Sequence, residues 1–185
     1  ANGKALAAHE RADARVGYFD WSSRRNVQAH YQLYNGTPPI PLLYGLREAL
    51  DMIAEEGLEN AWARHETLAR AVWAAVDAWH TPDGLRCTIA DPTARSHAVT
   101  TIDTGSVDAT AIRSIAEEQM GLTLGLGIGS DTARFRIGHM GHLNPPMLLG
   151  TLGTVESALH SLGAPMGSSG VAAAAWAIGD SITAP

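Results

Sequence analysis

The stretch Arg134-Phe135-Arg136-Ile137-Gly138-His139-Met140-Gly141 runs on into His142-Leu143-Asn144-Pro145-Pro146, and the fold is read outward from it. Apolar Phe135 and Ile137 alternate with Arg134 and Arg136, the period of a strand with one face in a core. The opposite face then carries two guanidinium groups side by side, and Gly138 lets the backbone come close to whatever they meet. An arginine held on a rigid strand presents a planar fork of donors suited to a carboxylate or a phosphate. The same pattern also suits a strand whose polar face is merely solvated or salt-bridged.

Around this strand the composition is that of a globular chain. Of 185 residues, 45% are hydrophobic and 17% charged, enough to bury a core as one domain or a domain plus an arm. A net charge of −6 argues against nucleic acid or an anionic membrane as the main partner, since both select basic patches. The one cysteine, Cys87, excludes an internal disulfide and fits a reducing, cytoplasmic compartment. No stretch is long and apolar enough to span a bilayer. Ala1-Asn2-Gly3-Lys4-Ala5-Leu6-Ala7-Ala8 has no initiator methionine and opens straight into helix-like sequence, so it reads as a cut end.

In chain order, the Ala-rich residues 4–14 predict a helix that Val16-Gly17-Tyr18-Phe19-Asp20-Trp21 breaks. Tyr34-Asn35-Gly36-Thr37-Pro38-Pro39 predicts a structured turn, whose two hydroxyl side chains, three residues apart, could donate to one anion. Pro41 suits a helix start, and Leu42, Leu46, Leu50 and Ile53 mark one face until Glu55-Glu56-Gly57 closes it. Leu58, Trp62, His65, Ala69, Val72, Val76 and Trp79 follow at alternating four-and-three spacing, a long packed helix with His65 at the core edge. Leu85–Ile89 and Ala98–Ile102 are β-prone. Asp108 can cap a helix carrying Ile112, Ile115, Ala116 and Met120 and stopped by Gly121. Leu122–Leu124 is extended, and Gly125-Leu126-Gly127-Ile128-Gly129 reads as a loop passing close to a small molecule. Asn144 and Pro145 start a helix with Leu148, Leu152, Val155, Leu159 and Leu162 inward. Gly167–Gly170 reads as a flexible joint before a last helix, Val171–Ile178. The order strand, strand, helix, strand, strand, helix describes a small α/β sandwich, mostly antiparallel, with helices on one face.

Other motifs carry less. The alternating glycines fail the dinucleotide fingerprint, because the third glycine is misplaced and no helix opens there. His139 and His142 have no third ligand nearby, so metal is not expected. Lys4 lies in a polar terminal segment with nothing to bury it and lower its pKa, so it is a surface lysine.

Four blocks, in order and over nearly the whole chain, resemble the C-terminal half of a class V (fold type I) pyridoxal-phosphate aminotransferase of the serine–glyoxylate and alanine–glyoxylate branch. They are Tyr18-Phe19-Asp20-Trp21; Gly36-Thr37-Pro38 leading into Leu42-Leu43-Tyr44-Gly45-Leu46-Arg47-Glu48-Ala49-Leu50; Glu56-Gly57-Leu58-Glu59-Asn60 with Ala63-Arg64-His65; and Phe135-Arg136-Ile137-Gly138-His139-Met140-Gly141 into Met147-Leu148-Leu149-Gly150. The resemblance implies that Arg136 binds the substrate α-carboxylate. It also implies that Thr37 and Tyr34 reach across a dimer interface to the phosphate of pyridoxal 5'-phosphate in the neighbouring subunit. It places Lys4 downstream of the lysine that carries the cofactor. That lysine, the aspartate on the pyridine nitrogen and the aromatic on the ring then belong upstream of residue 1.

The expectation is therefore the C-terminal portion of an aminotransferase. It would move an amino group from serine or alanine to glyoxylate or another small 2-oxo acid. It would work only with an N-terminal portion and a homodimer partner, and with no nucleic acid or membrane involved. Residues 1–40 would end the large domain and form the interface loop, and 41–80 a helical arm. Residues 81–163 would form the small α/β domain and 164–185 a tail helix. The alternative is a non-catalytic binding or dimerisation module, or an inactive fragment.

Overall fold

The computed structural model describes residues 1–13, 16–25, 28–34, 36–127 and 133–182. They divide into two compact units, Ala1–Glu55 and Glu56–Pro185. The end of the first expected helix (residue 14), Asn35 of the expected turn, and Ile128-Gly129 of the glycine loop lie outside the described residues.

The first unit holds α1 (Gly3–Glu10), capped by Asn2, whose side chain accepts from the Ala5 N–H at 2.9 Å. Two short 3₁₀ turns, Ser22–Arg24 and His30–Tyr34, occupy a region without hydrophobic period. The Asp20 carboxylate ties the segment down by meeting the His9 ring at 2.9 Å and the Ser22 N–H at 2.8 Å. These bonds, that with His9 first, hold its pKa at about 2. Helix α2 (Ile40–Glu56) forms where the leucine spacing predicts it, yet buries none of its residues. Leu42 is 74% exposed, and Leu46, Leu50 and Ile53 on the same face are exposed too.

In the second unit, Gly57 (φ +87°) supplies the left-handed turn that separates α2 from α3 (Leu58–Trp79). The four-and-three stripe of α3 is buried from Ala69 to Trp79, whereas Leu58 and Trp62 at its start stay exposed. A four-stranded antiparallel sheet follows, in the order β1 (Arg86–Cys87), β2 (Val99–Asp103), β4 (Arg134–Gly138), β3 (Gly125–Leu126). The glycine-rich segment thus begins as an edge strand on β4 rather than as a loop, because Gly125 and Leu126 pair with Arg136 and Phe135. Helix α4 (Ala109–Met120) starts at Asp108, which accepts from the Thr110 N–H at 2.8 Å, and stops at left-handed Gly121. Helix α5 (Pro145–Ser161) starts at Asn144, which accepts from the Met147 N–H at 3.0 Å. Cys87, Ile102, Phe135 and Ile137 of the sheet meet apolar residues of α3, α4 and α5 and of α6 (Gly170–Asp180) in one core. Helices therefore cover one face of the sheet, as the pattern predicts.

The tail departs from expectation. Gly167 and Gly170 are close-packing points, not a flexible joint. A Cβ on Gly170 would lie 2.4 Å from the Trp79 ring, and one on Gly167 would lie 2.8 Å from the Ala78 carbonyl oxygen. Only hydrogen in place of a side chain lets α6 seat on α3. A half-buried carboxylate locks the seat, for Glu156 Oε2 accepts from the Trp79 indole N–H at 2.9 Å and from the Val171 N–H at 3.1 Å. Burial pushes the Glu156 pKa up, but the bonds from Trp79, Val171, Ser169 and Gly170 outweigh it and hold the group below the usual glutamate value.

Glu156→Ala leaves the fully buried Trp79 indole N–H unpaired and should cost about 1–3 kcal/mol in urea unfolding. Because the folded pKa is depressed, the carboxylate's contribution is complete above the unfolded value of 4.5 and is lost as the pH falls through the folded one. The gap between parent and variant midpoints should therefore narrow in acid.

Candidate functional site

Strand parity sorts the arginines. Phe135 and Ile137 are buried, so Arg134 and Arg136 stand on the face that the core helices do not cover. Antiparallel register then arranges that face in rows. Asp103 of β2 lies opposite both Arg86 of β1 and Arg134 of β4, while Thr101 of β2 and Gly125 of β3 flank Arg136.

The two guanidinium groups meet different surroundings. Arg134 is paired through its Nε with Asp103 Oδ1. The same carboxylate takes Arg86 Nε at 3.5 Å and the Thr88 hydroxyl at 3.3 Å, and its side chain is only 14% exposed. Asp103 thereby pairs with both arginines of the first row and offsets one of their two charges. Arg136 has no such carboxylate, and its Nε is buried without a hydrogen-bond partner among the described residues. A buried donor left unpaired costs free energy, and an acceptor-rich anion removes that cost.

The strand end beside Arg136 is pinned by a histidine. His139 is fully buried, and its N–H continues the ladder to the Ala98 carbonyl at 2.9 Å. A carbonyl can only accept, so His139 Nδ1–H donates to the His97 oxygen at 3.1 Å. Nε2 is then bare and accepts from the Thr100 hydroxyl at 2.9 Å, whose oxygen accepts from the Trp73 indole at 3.0 Å. Both ring nitrogens are used, which leaves neither for a metal. Burial, with the nearby His65 and His97 adding to it, lowers the His139 pKa and keeps the ring neutral. His65 is itself half-buried, at the core edge as its spacing predicts, and its Nε2 is buried without a partner among the described residues.

Arg64 fixes the loop that follows. Its Nε and Nη2 grip the Glu56 carboxylate at 2.6 and 2.7 Å, while Nη1 donates to the Gly141 and Leu143 carbonyls at 2.8 and 3.0 Å. The bonds from Arg64 hold Glu56 below the usual carboxylate range. In the first unit Tyr34 ends a 3₁₀ turn that the Gly36 N–H closes on the Tyr31 carbonyl at 3.2 Å, and both Tyr34 and Thr37 are exposed. Lys4, the sole lysine of the chain, is exposed on α1.

Each unit by itself carries donors of a kind that pyridoxal phosphate and an amino acid would need, Tyr34 and Thr37 in the first and Arg136 in the second. Exposed hydroxyls suit a phosphate, and an unpaired buried guanidine N–H suits a carboxylate. An exposed lysine such as Lys4 does not suit the cofactor's aldehyde. The sequence raises no expectation for Asp103, and for Arg64 and Gly125 it gives a family block and a glycine loop but not their contacts with the 141–143 loop and Arg136. For Asp103 a signal existed, since Thr101 and Asp103 alternate around Ile102 just as the arginines alternate around Phe135.

The profile of the family described as aminotransferase class-V matches residues 17–142. Serine–glyoxylate aminotransferase of Arabidopsis thaliana is 40% identical over 94% of this chain and 43% of its own length. The enzyme of that name from Methylorubrum extorquens is 43% identical over 87% of this chain and 39% of its own. The crystal structure of pyridoxamine–pyruvate aminotransferase from Mesorhizobium loti superposes with a TM-score of 0.78 at 27% identity, over 98% of this chain and 47% of that one. The chain thus spans about two fifths of the length of the curated relatives it matches.

For His139 the pH dependence has a definite sign. The unfolded chain protonates this residue near 6.5, whereas the folded chain resists doing so until lower pH. Its contribution is complete above 6.5 and lost as the pH falls. The urea midpoint should drop between about pH 7 and 5, less steeply in His139→Gln than in the parent; equal slopes would show that the ring is not held neutral.

Proposed function

Because the chain belongs to the class V aminotransferase family, we propose that it is the carboxylate-recognising portion of a pyridoxal-phosphate aminotransferase acting between serine or alanine and glyoxylate or another small 2-oxo acid. The observation that carries the proposal is the contrast on one strand: Arg134 is paired with Asp103, and Arg136 keeps a buried donor without a partner among the described residues. Relatives named serine–glyoxylate aminotransferases supply the substrate class.

Within this proposal Arg136 takes the α-carboxylate of donor and acceptor in turn, so one site serves both halves of a ping-pong transfer. A planar fork fixes the carboxylate plane as well as its position, and so orients the α-carbon. Asp103 keeps Arg134 from competing for the same anion. Arg64 and His139 hold the strand and loop that carry Arg136, which lowers the entropy left to lose on binding. Tyr34 and Thr37 donate their hydroxyls to the cofactor phosphate, across a dimer interface. When bound, pyridoxal phosphate supplies the electron sink for the bonds broken at the α-carbon. The lysine that carries it is assigned to the N-terminal portion of the enzyme, since Lys4, the sole lysine of this chain, is exposed. The apolar face of α2, exposed along its length, is consistent with a covering polypeptide. The cytoplasm is the proposed compartment, in keeping with a buried, unpaired Cys87. No helix among the described residues is long and apolar enough to cross a membrane.

The test is reconstitution. This chain combined with the N-terminal portion should bind pyridoxal phosphate, seen in the visible spectrum, and convert serine and glyoxylate. Arg136→Lys keeps the charge but loses the paired fork, so the KM for serine should rise about tenfold or more. Unchanged kinetics in that variant would remove Arg136 from substrate binding.

A further inference from the structure

Gly125 sits directly across the β3–β4 ladder from Arg136. It is not among the glycines with positive φ, so its backbone would accept an alanine without strain. What it provides is space. A Cβ placed there would lie 3.0 Å from Arg136 Cβ and 3.3 Å from Arg136 Nε. The second distance matters most, because Nε is buried without a hydrogen-bond partner among the described residues. The aliphatic stem of Arg136 therefore leans over the bare backbone of Gly125, and the glycine sets the direction in which the guanidinium leaves the sheet.

We propose that Gly125 is a positioning residue for carboxylate recognition: the missing side chain is the seat of the Arg136 stem, and filling it misaims the guanidinium. The inference rests on the reading of Arg136 as the carboxylate ligand. An added methyl displaces the stem by a few tenths of an ångström, and a paired fork of donors is sensitive to direction as well as distance. Charge and strand pairing are kept, so an effect on anion binding reports aim.

The experiment uses this chain labelled with ¹⁵N-arginine, the Arg136 Nε–H resonance being identified by its absence in Arg136→Lys. Sodium acetate is the carboxylate probe. In the parent chain the resonance should exchange slowly with solvent and shift saturably with acetate. In Gly125→Ala it should move before any acetate is added, and acetate binding should weaken about fivefold or more. In an Arg136→Lys background the same alanine should leave acetate affinity unchanged, because the effect acts through the arginine. Gly125→Ser repeats the measurement with a second added Cβ, and circular dichroism and urea midpoints accompany each variant. An unmoved resonance with unaltered acetate affinity in Gly125→Ala overturns the proposal, as does loss of fold in both Gly125 variants, which would make the glycine a packing requirement only. A parent resonance that ignores acetate while staying protected overturns instead the carboxylate role of Arg136, leaving the seating of its stem standing.

Discussion

The pairing of β2 with β4 is the constraint on which the site depends. Val99 lies opposite Gly138, Ile102 opposite Phe135, and Asp103 opposite Arg134. This register puts Ile102, Phe135 and Ile137 into the core together and sends Thr101, Asp103, Arg134 and Arg136 to the other face. A slip of one residue would bury two guanidinium groups and expose the aromatic and the isoleucine, at a cost no small domain could absorb. Core packing thus fixes the register, and the register fixes which arginine meets which partner.

From that register follows a division of labour between like side chains. Asp103, with Arg86 on one side and Arg134 on the other, forms a closed charge row. Arg136, one row along, faces a threonine and a glycine. The strand presents two guanidinium groups in sequence, and among the described residues only that of Arg136 lacks a carboxylate. The surrounding elements then stiffen the strand's exit through the His139–Thr100–Trp73 chain of bonds and the grip of Arg64 on two loop carbonyls. Neither network uses residues that could be spared to water at no cost, since His139 and Thr100 are buried.

The same physics explains the glycines. Gly57 and Gly121 are required by left-handed backbone, and both are legible at helix ends. Gly125 and Gly170 have ordinary backbone and are required by what lies across from them, an arginine stem and an indole. Near-identical local sequence therefore hides two different requirements. Reading Gly167–Gly170 as a hinge mistakes close packing for freedom.

Much of the fold was legible in residue order, because its signals are local. Asp108, Asn144 and Gly121 bound their helices through bonds two to four residues long. Phe135 and Ile137 declare their face by alternation, and the α3 stripe declares its own by a spacing near 3.6. The placing of Arg136 on the face away from the core was legible too, from strand parity. Tertiary structure alone decided that Arg134 is spent on Asp103, 31 residues away in sequence, and that Gly125 makes room for Arg136. It alone decided that the apolar face of α2 stays uncovered here while that of α3 does not. Periodicity specifies that a face is apolar, but what covers that face, and which charge meets which, depends on chain segments that only folding brings together.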